Sequence, residues 1–130
     1  MHVADTHPLV YHAFGPQSKL GREAKRIFAK AEKGGIPVFV PTVALWEVAQ
    51  LIEAGRIRLP QKFEHWCRSL EGHSGFSIVT LEWLDVNEAR HLPFADPFDR
   101  LIVGTALRLD MPLVTKDQNI IDSRLVETVW

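Results

Sequence analysis

Two aspartates stand three apart in LPFADPFDRLIVG, residues 92 to 104, where Asp96 and Asp99 flank Pro97 and Phe98 ahead of an apolar run. Asp5 in VADTH and Asp117 in LVTKD each follow a short apolar stretch directly, and Glu47 lies within ALWEVAQ. Carboxylates about 5 Å apart repel by roughly 3 kcal/mol per pair at an effective dielectric near 20, so gathering them opposes folding unless a cation joins them. An oxygen-rich set of this kind suits hard divalent ions such as Mg²⁺ or Mn²⁺. Such an ion offers a Lewis acid to a phosphoryl oxygen and makes hydroxide available near neutral pH. Asp5, Glu47, Asp99 and Asp117 together would then suit phosphodiester hydrolysis.

That chemistry requires the acids to meet, which depends on the elements carrying them. Short β-branched runs alternate with longer amphipathic stretches, the pattern of strand-helix repeats around a parallel sheet. Strands are expected at His2 to Asp5, Ile36 to Val40, Phe76 to Thr80 and Met111 to Thr115, with a last one at Leu125 to Trp130. Helices are expected over 18 to 33, over 42 to 54 with Thr42 as cap, from Pro60 to Leu70, from Leu81 to His91 and from Pro97 to Leu109. The first of these carries Leu20, Ala24, Ile27, Phe28 and Ala31 on one face and stops at Gly34 and Gly35. In an open parallel sheet the ligand site lies beyond the carboxyl ends of the strands. Asp5 and Asp117 end strands, Asp99 lies in a first helical turn and Glu47 in a second, so all four can reach that edge.

Each acid also has a plain structural use. Asp96, Pro97 and Asp99 have the spacing of a helix cap, a first-turn proline and an acid facing the helix dipole. Capping is the favoured reading for Asp96. Taken singly, Asp5 would be a strand-end cap, Asp117 a turn residue and Glu47 an ordinary helix glutamate. Their joint placement favours a shared site.

The chain's 130 residues, 46% of them hydrophobic, are expected to make one domain, residues 1 to 130. With 15 Lys and Arg against 16 Asp and Glu, a polyanion would have to be held by a local patch. Cys67 is the lone cysteine, and MHVADTH lacks the charged and apolar regions of a secretory signal, so a cytoplasmic location is expected, with no membrane span. Neither GxGxxG nor a GK[ST] signature occurs, which disfavours dinucleotide and nucleoside triphosphate enzymes.

The stretches ADTHPLVY, ALWEVAQLIEAGRIRLP, LPFADPFDRLIVGTALRLDMPLVTKD and the C-terminal strand ending in tryptophan, in this order, resemble the PIN-domain ribonucleases, specifically the VapC-like toxins of toxin-antitoxin pairs. DTH alone is weak, whereas LWE with GRIRLP, then DPFDRLI and LVTKD, is specific. The resemblance runs from Val3 to Trp130. It implies a three-layer α/β/α fold around a mostly parallel sheet of four to five strands. It also implies a Mg²⁺- or Mn²⁺-dependent endoribonuclease, commonly a homodimer, that is blocked by a cognate antitoxin. By motif, Asp5 and Asp99 would contact the metal directly, and Glu47 and Asp117 would bind it directly or through water. Thr6 and Thr115 could add hydroxyls to the pocket. Relatives often carry a His-Arg pair before DPFD, where this chain has Phe94 and Ala95; His91 is the nearest substitute. The other reading is a non-catalytic PIN-like module that binds RNA or protein.

Arg100 and Lys116 adjoin two of the acids and are candidate contacts for an RNA phosphate. Lys19, Arg22, Lys25, Arg26, Lys30 and Lys33 crowd one helix, either as an RNA track or as a solvated face. The six histidines show no zinc-ligand spacing. Trp46, Trp66, Trp83 and Trp130 lie in apolar patterns and are expected in the core or at an interface. Apolar residues at 42 to 54 and 60 to 70 could line an antitoxin groove or dimer contact, or simply pack the core.

Overall fold

The computed structural model describes all 130 residues. In chain order the elements are β1 (His2–Ala4), α1 (Thr6–Phe14), a 3-10 turn (Gln17–Lys19), α2 (Arg22–Glu32), β2 (Val38–Pro41), α3 (Thr42–Glu53), α4 (Phe63–Glu71), β3 (Phe76–Val79), α5 (Trp83–Ala89), α6 (Pro97–Leu109), β4 (Leu113–Val114), α7 (Gln118–Ser123) and β5 (Thr128–Val129). The five strands are parallel throughout, in the order β3-β2-β1-β4-β5. The chain therefore moves outward from β1 to β2 and β3, then crosses back to place β4 on the other side of β1. That reversal opens a crevice beyond the carboxyl ends of β1 and β4.

Successive strand residues feed opposite faces of the sheet. Val3 and Leu113 enter one core with Ile102, Val103 and Ala106 of α6 and Ile120 of α7. Ala4, Val38, Val40 and Val114 enter the other, against Leu9 and Val10 of α1, Ile27 and Phe28 of α2 and Trp66 and Leu70 of α4. Helices cover both faces, giving three α/β/α layers. Burial on both sides explains why the strands read as continuous apolar runs rather than alternating ones.

Two helices are absent from the sequence reading. The helix α1 starts directly after β1, with Asp5 as its cap and Pro8 in its first turn, where a missing N–H breaks no helical hydrogen bond. The six-residue α7 is too short to show a period. Several edges also move. The 18 to 33 helix begins at Arg22, and the Pro60 helix begins at Phe63. Thr42 is not a cap: Pro41 holds that position, and the Thr42 hydroxyl accepts a hydrogen bond from Leu81 N at 3.2 Å. Of the tryptophans Trp66 is buried, but Trp46 and Trp83 are exposed rather than core.

The layer carrying α6 is locked by a buried ion pair. Asp85 is fully buried in the first turn of α5 and accepts from Glu82 N at 2.9 Å. Arg108 of α6 grips it with Nε on Oδ1 and Nη2 on Oδ2, the second at 3.2 Å. Gly104 permits this approach, since a Cβ there would lie 2.7 Å from the Asp85 carbonyl oxygen. Removing one partner of a buried pair strands a charge and is expected to cost about 3 kcal/mol or more. Arg108→Ala should lower urea-unfolding stability by that amount, and Arg108→Lys should recover only part because an ammonium cannot grip both oxygens. An Arg108→Ala midpoint equal to wild type would show that the pair does not hold α5 to α6.

Candidate active site

The crevice at the sheet reversal is a cavity of about 400 Å³ whose lining includes Asp5, Glu47, Asp96, Asp99 and Asp117. Each acid is delivered by local structure. Asp5 follows β1 and caps α1, with Oδ1 accepting from Thr6 N at 2.7 Å. Its Oδ2 accepts from the hydroxyl of Thr115, which follows β4, also at 2.7 Å. Thr115 in turn accepts from Asp117 N at 3.0 Å. The fully buried Thr6 donates its hydroxyl to Glu47 Oε1 of α3 at 2.5 Å. Thr6 and Thr115 are therefore built into this carboxylate network. Asp96 caps α6 through Phe98 N at 2.7 Å and Asp99 N at 3.4 Å. Asp117 caps α7 through Ile120 N at 3.1 Å. Capping and cavity lining coincide at Asp5, Asp96 and Asp117.

Burial pushes the Asp5 carboxyl above its ordinary range, against the opposing hydrogen bonds from Thr115 and Thr6. Burial also raises Glu47, with the Asp5 charge adding to it and the Thr6 hydroxyl working against it. Asp99 is raised furthest, to about 7, first by burial and then by the charges of Asp5, Asp96, Asp117 and Glu47. No donor of the chain offsets that rise.

The donor set fits a hard divalent cation: it is entirely oxygen, strongly anionic and open to solvent. The acids line a shared cavity rather than a closed cage, and no three His, Cys, Asp or Glu side chains stand together as a preformed ion cluster. Water would have to complete an ion's shell, as suits Mg²⁺.

Of the two basic candidates, Lys116 lines the cavity, while Arg100 is turned away, its Nε donating to the carbonyl of Phe94. Phe94 itself is a core side chain, so the position where relatives carry a polar pair serves packing here. His7, Tyr11 and Gln118 also line the cavity and were missed. The signal for the first two lay in α1: residues 7 and 11 share one helical face, visible only once a helix is placed there.

His12 and His73, far apart in sequence, meet at Glu32, with His12 Nε2 2.8 Å from Oε1 and His73 Nε2 3.4 Å from Oε2. His73 Nδ1 accepts from Gly75 N at 3.0 Å, so the proton of the neutral ring sits on Nε2, facing the carboxylate. That nitrogen has no lone pair for a metal.

The family model for the PIN domain matches residues 3–124, and the chain belongs to that family. Its structure is similar to that of a toxin-antitoxin complex from Klebsiella pneumoniae, with TM-score 0.64, 16% identity and coverage of 100% of this chain and 97% of that one. It is also similar to VapBC2 from Rickettsia felis bound to a DNA fragment from its promoter, with TM-score 0.69, 13% identity and coverage of 99% and 98%. A third likeness is to FitAB bound to an IR36 DNA fragment, with TM-score 0.61, 15% identity and coverage of 99% and 94%. No curated protein matches the sequence.

The raised Asp99 sets a pH dependence. Between its ordinary 3.8 and about 7 the folded protein binds more protons at this group than the unfolded chain does, so stability falls as pH rises through that window. With chelator present, the urea midpoint should decline from pH 4 to pH 7, and Asp99→Asn should flatten this slope and unfold no earlier than wild type at pH 7. A variant that keeps the full slope would place the titration elsewhere.

Proposed function

We propose that this chain is the toxin of a toxin-antitoxin pair, an endoribonuclease that hydrolyses RNA phosphodiester bonds with Mg²⁺ or Mn²⁺. The observation that carries this reading is the convergence of five carboxylates on one open cavity at the sheet reversal; burial first, and then the neighbouring charges, raise Asp99 to about 7 within it. Membership of the PIN family supports nuclease chemistry.

In this reading Asp5 and Asp99 hold the ion directly, and Glu47 and Asp117 complete its shell directly or through water. The bound ion supplies a Lewis acid and a water of lowered pKa. The chain's own residues do the positioning. Thr6 and Thr115 fix the Asp5 carboxylate by donating to it through backbone N–H and hydroxyl, and Thr6 also fixes Glu47. Asp96 starts α6 so that Asp99 reaches the cavity. Lys116, at the cavity wall, is placed to meet a substrate phosphate.

A cognate antitoxin is the expected partner, and a basic side chain entering the cavity would replace the cation's charge. The similarity to a structure described as a toxin-antitoxin complex supports that partner. A groove of about 550 Å³ beside α3 and α4, lined by Ile52, Ile57, Leu59 and Phe63 together with the polar Arg58 and Gln61, suits an amphipathic antitoxin segment. The protein would act as a one-domain chain, paired as a homodimer, in the cytoplasm. No helix is long and apolar enough to cross a membrane.

Purified protein should cleave total RNA with Mg²⁺ or Mn²⁺ and stop in chelator. Changing residues that merely support metal ligands costs up to about 100-fold, so Asp99→Asn, which removes a ligand charge, should lose at least that much. Equal cleavage by the two proteins would reject the assignment. RNA binding without cleavage under any of these conditions would favour the non-catalytic module.

A further inference from the structure

Beside the carboxylates, two lysines gather on one buried tyrosine. Tyr11, on α1, lines the cavity and is 9% exposed. Lys116, from the loop after β4, places Nζ 2.8 Å from Tyr11 Oη and 4.8 Å from the ring centroid. Lys19, from the 3-10 turn before α2, places Nζ 5.5 Å from the same centroid. Both lysines are exposed, and neither forms an ion pair with any carboxylate of the chain.

We propose that Lys19 and Lys116, gathered on Tyr11, form a phosphate-binding rim that holds the single strand of RNA where it leaves the carboxylate cavity. This rests on the nuclease reading, which already places Lys116 at the cavity wall, and adds Lys19 and Tyr11 to it. Two ammonium groups beside one ring repel each other, yet no carboxylate is bound to either. Their charge is free for a polyanion. An aromatic face attracts the ammonium groups and limits their wandering, so less side-chain freedom is lost when a phosphate arrives. On the wider basic face of α2, Arg26 is already paired with Glu23 at 2.9 Å, and no cation of that helix stands over the Tyr11 ring to be held at the cavity. Lys19 precedes that helix and stands against the ring of Tyr11, which lines the cavity.

An acidic site needs such a rim. The lining carboxylates repel the substrate's phosphates, and a bound cation neutralises only the phosphate it touches. Cations at the mouth hold the adjoining phosphates and keep the strand in register. Contacts of this type carry no base information, so their effect should be equal across sequences.

The test uses the full chain carrying Asp99→Asn, which should not turn RNA over, and a fluorescein-labelled single-stranded uridine oligomer read by anisotropy in chelator across a salt series. For single strands each phosphate contact contributes about 0.7 to the slope of log affinity against log salt, so adding Lys19→Gln should lower the slope by about 0.7 and weaken binding about fivefold at 0.1 M salt. Adding Lys116→Gln as well should double both logarithmic effects. An adenosine oligomer should lose the same factor. The urea midpoint of Lys19→Gln should match its parent, because its side chain is exposed. An unchanged slope and affinity in Lys19→Gln, or no RNA binding by the parent, would overturn the rim. The two readings fail separately: lysine-dependent binding without cleavage by wild type sinks the nuclease alone, whereas metal-dependent cleavage with an unchanged slope sinks the rim alone.

Discussion

Like charges held close together are the constraint around which the rest of this fold is arranged. Asp5 is the pivot, buried and tied through its two oxygens to Thr6 N and to the Thr115 hydroxyl. Those bonds join the ends of β1 and β4 where the sheet reverses. The repulsion is thus opposed by a rigid frame of parallel strands packed on both faces. Asp99 has no such tether, and burial first, then the charges around it, raise its proton affinity. One acid is fixed and another responds.

The same frame explains why caps and site residues are the same side chains. Beyond the carboxyl edge of a parallel sheet, chains turn into helices, and helix starts need acceptors for their free N–H groups. Asp5, Asp96 and Asp117 satisfy α1, α6 and α7 in that way while a second oxygen or the open side of the carboxyl faces the cavity. A site built on helix starts inherits their positional accuracy. It does not rely on flexible loops.

Much of this was legible in the sequence. Strand-helix alternation points to the parallel sheet, and acids at strand ends and in the opening turns of helices point to Asp5, Asp117, Asp99 and Glu47, which line one cavity. What was not legible depended on contacts between distant segments. Thr115 bonding to Asp5 and Arg108 gripping Asp85 leave no local period. The helix α1 is only nine residues long and carries Pro8 in its first turn, so it leaves little period in the sequence, and Tyr11 and His7 go with it. Arg100 was misplaced because adjacency to Asp99 says nothing about where a long side chain turns; its guanidinium takes the Phe94 carbonyl instead.

The double use of the capping aspartates has an evolutionary side. Asparagine caps a helix about as well as aspartate, because the acceptor oxygen is what the free N–H groups require. Changing Asp96 or Asp117 in that way would keep the helix start while erasing a charge from the cavity. A lineage could therefore dim its chemistry in small steps, each leaving the scaffold folded and able to meet its partners. Inactive descendants of such a protein should be easy to reach and hard to tell apart by shape.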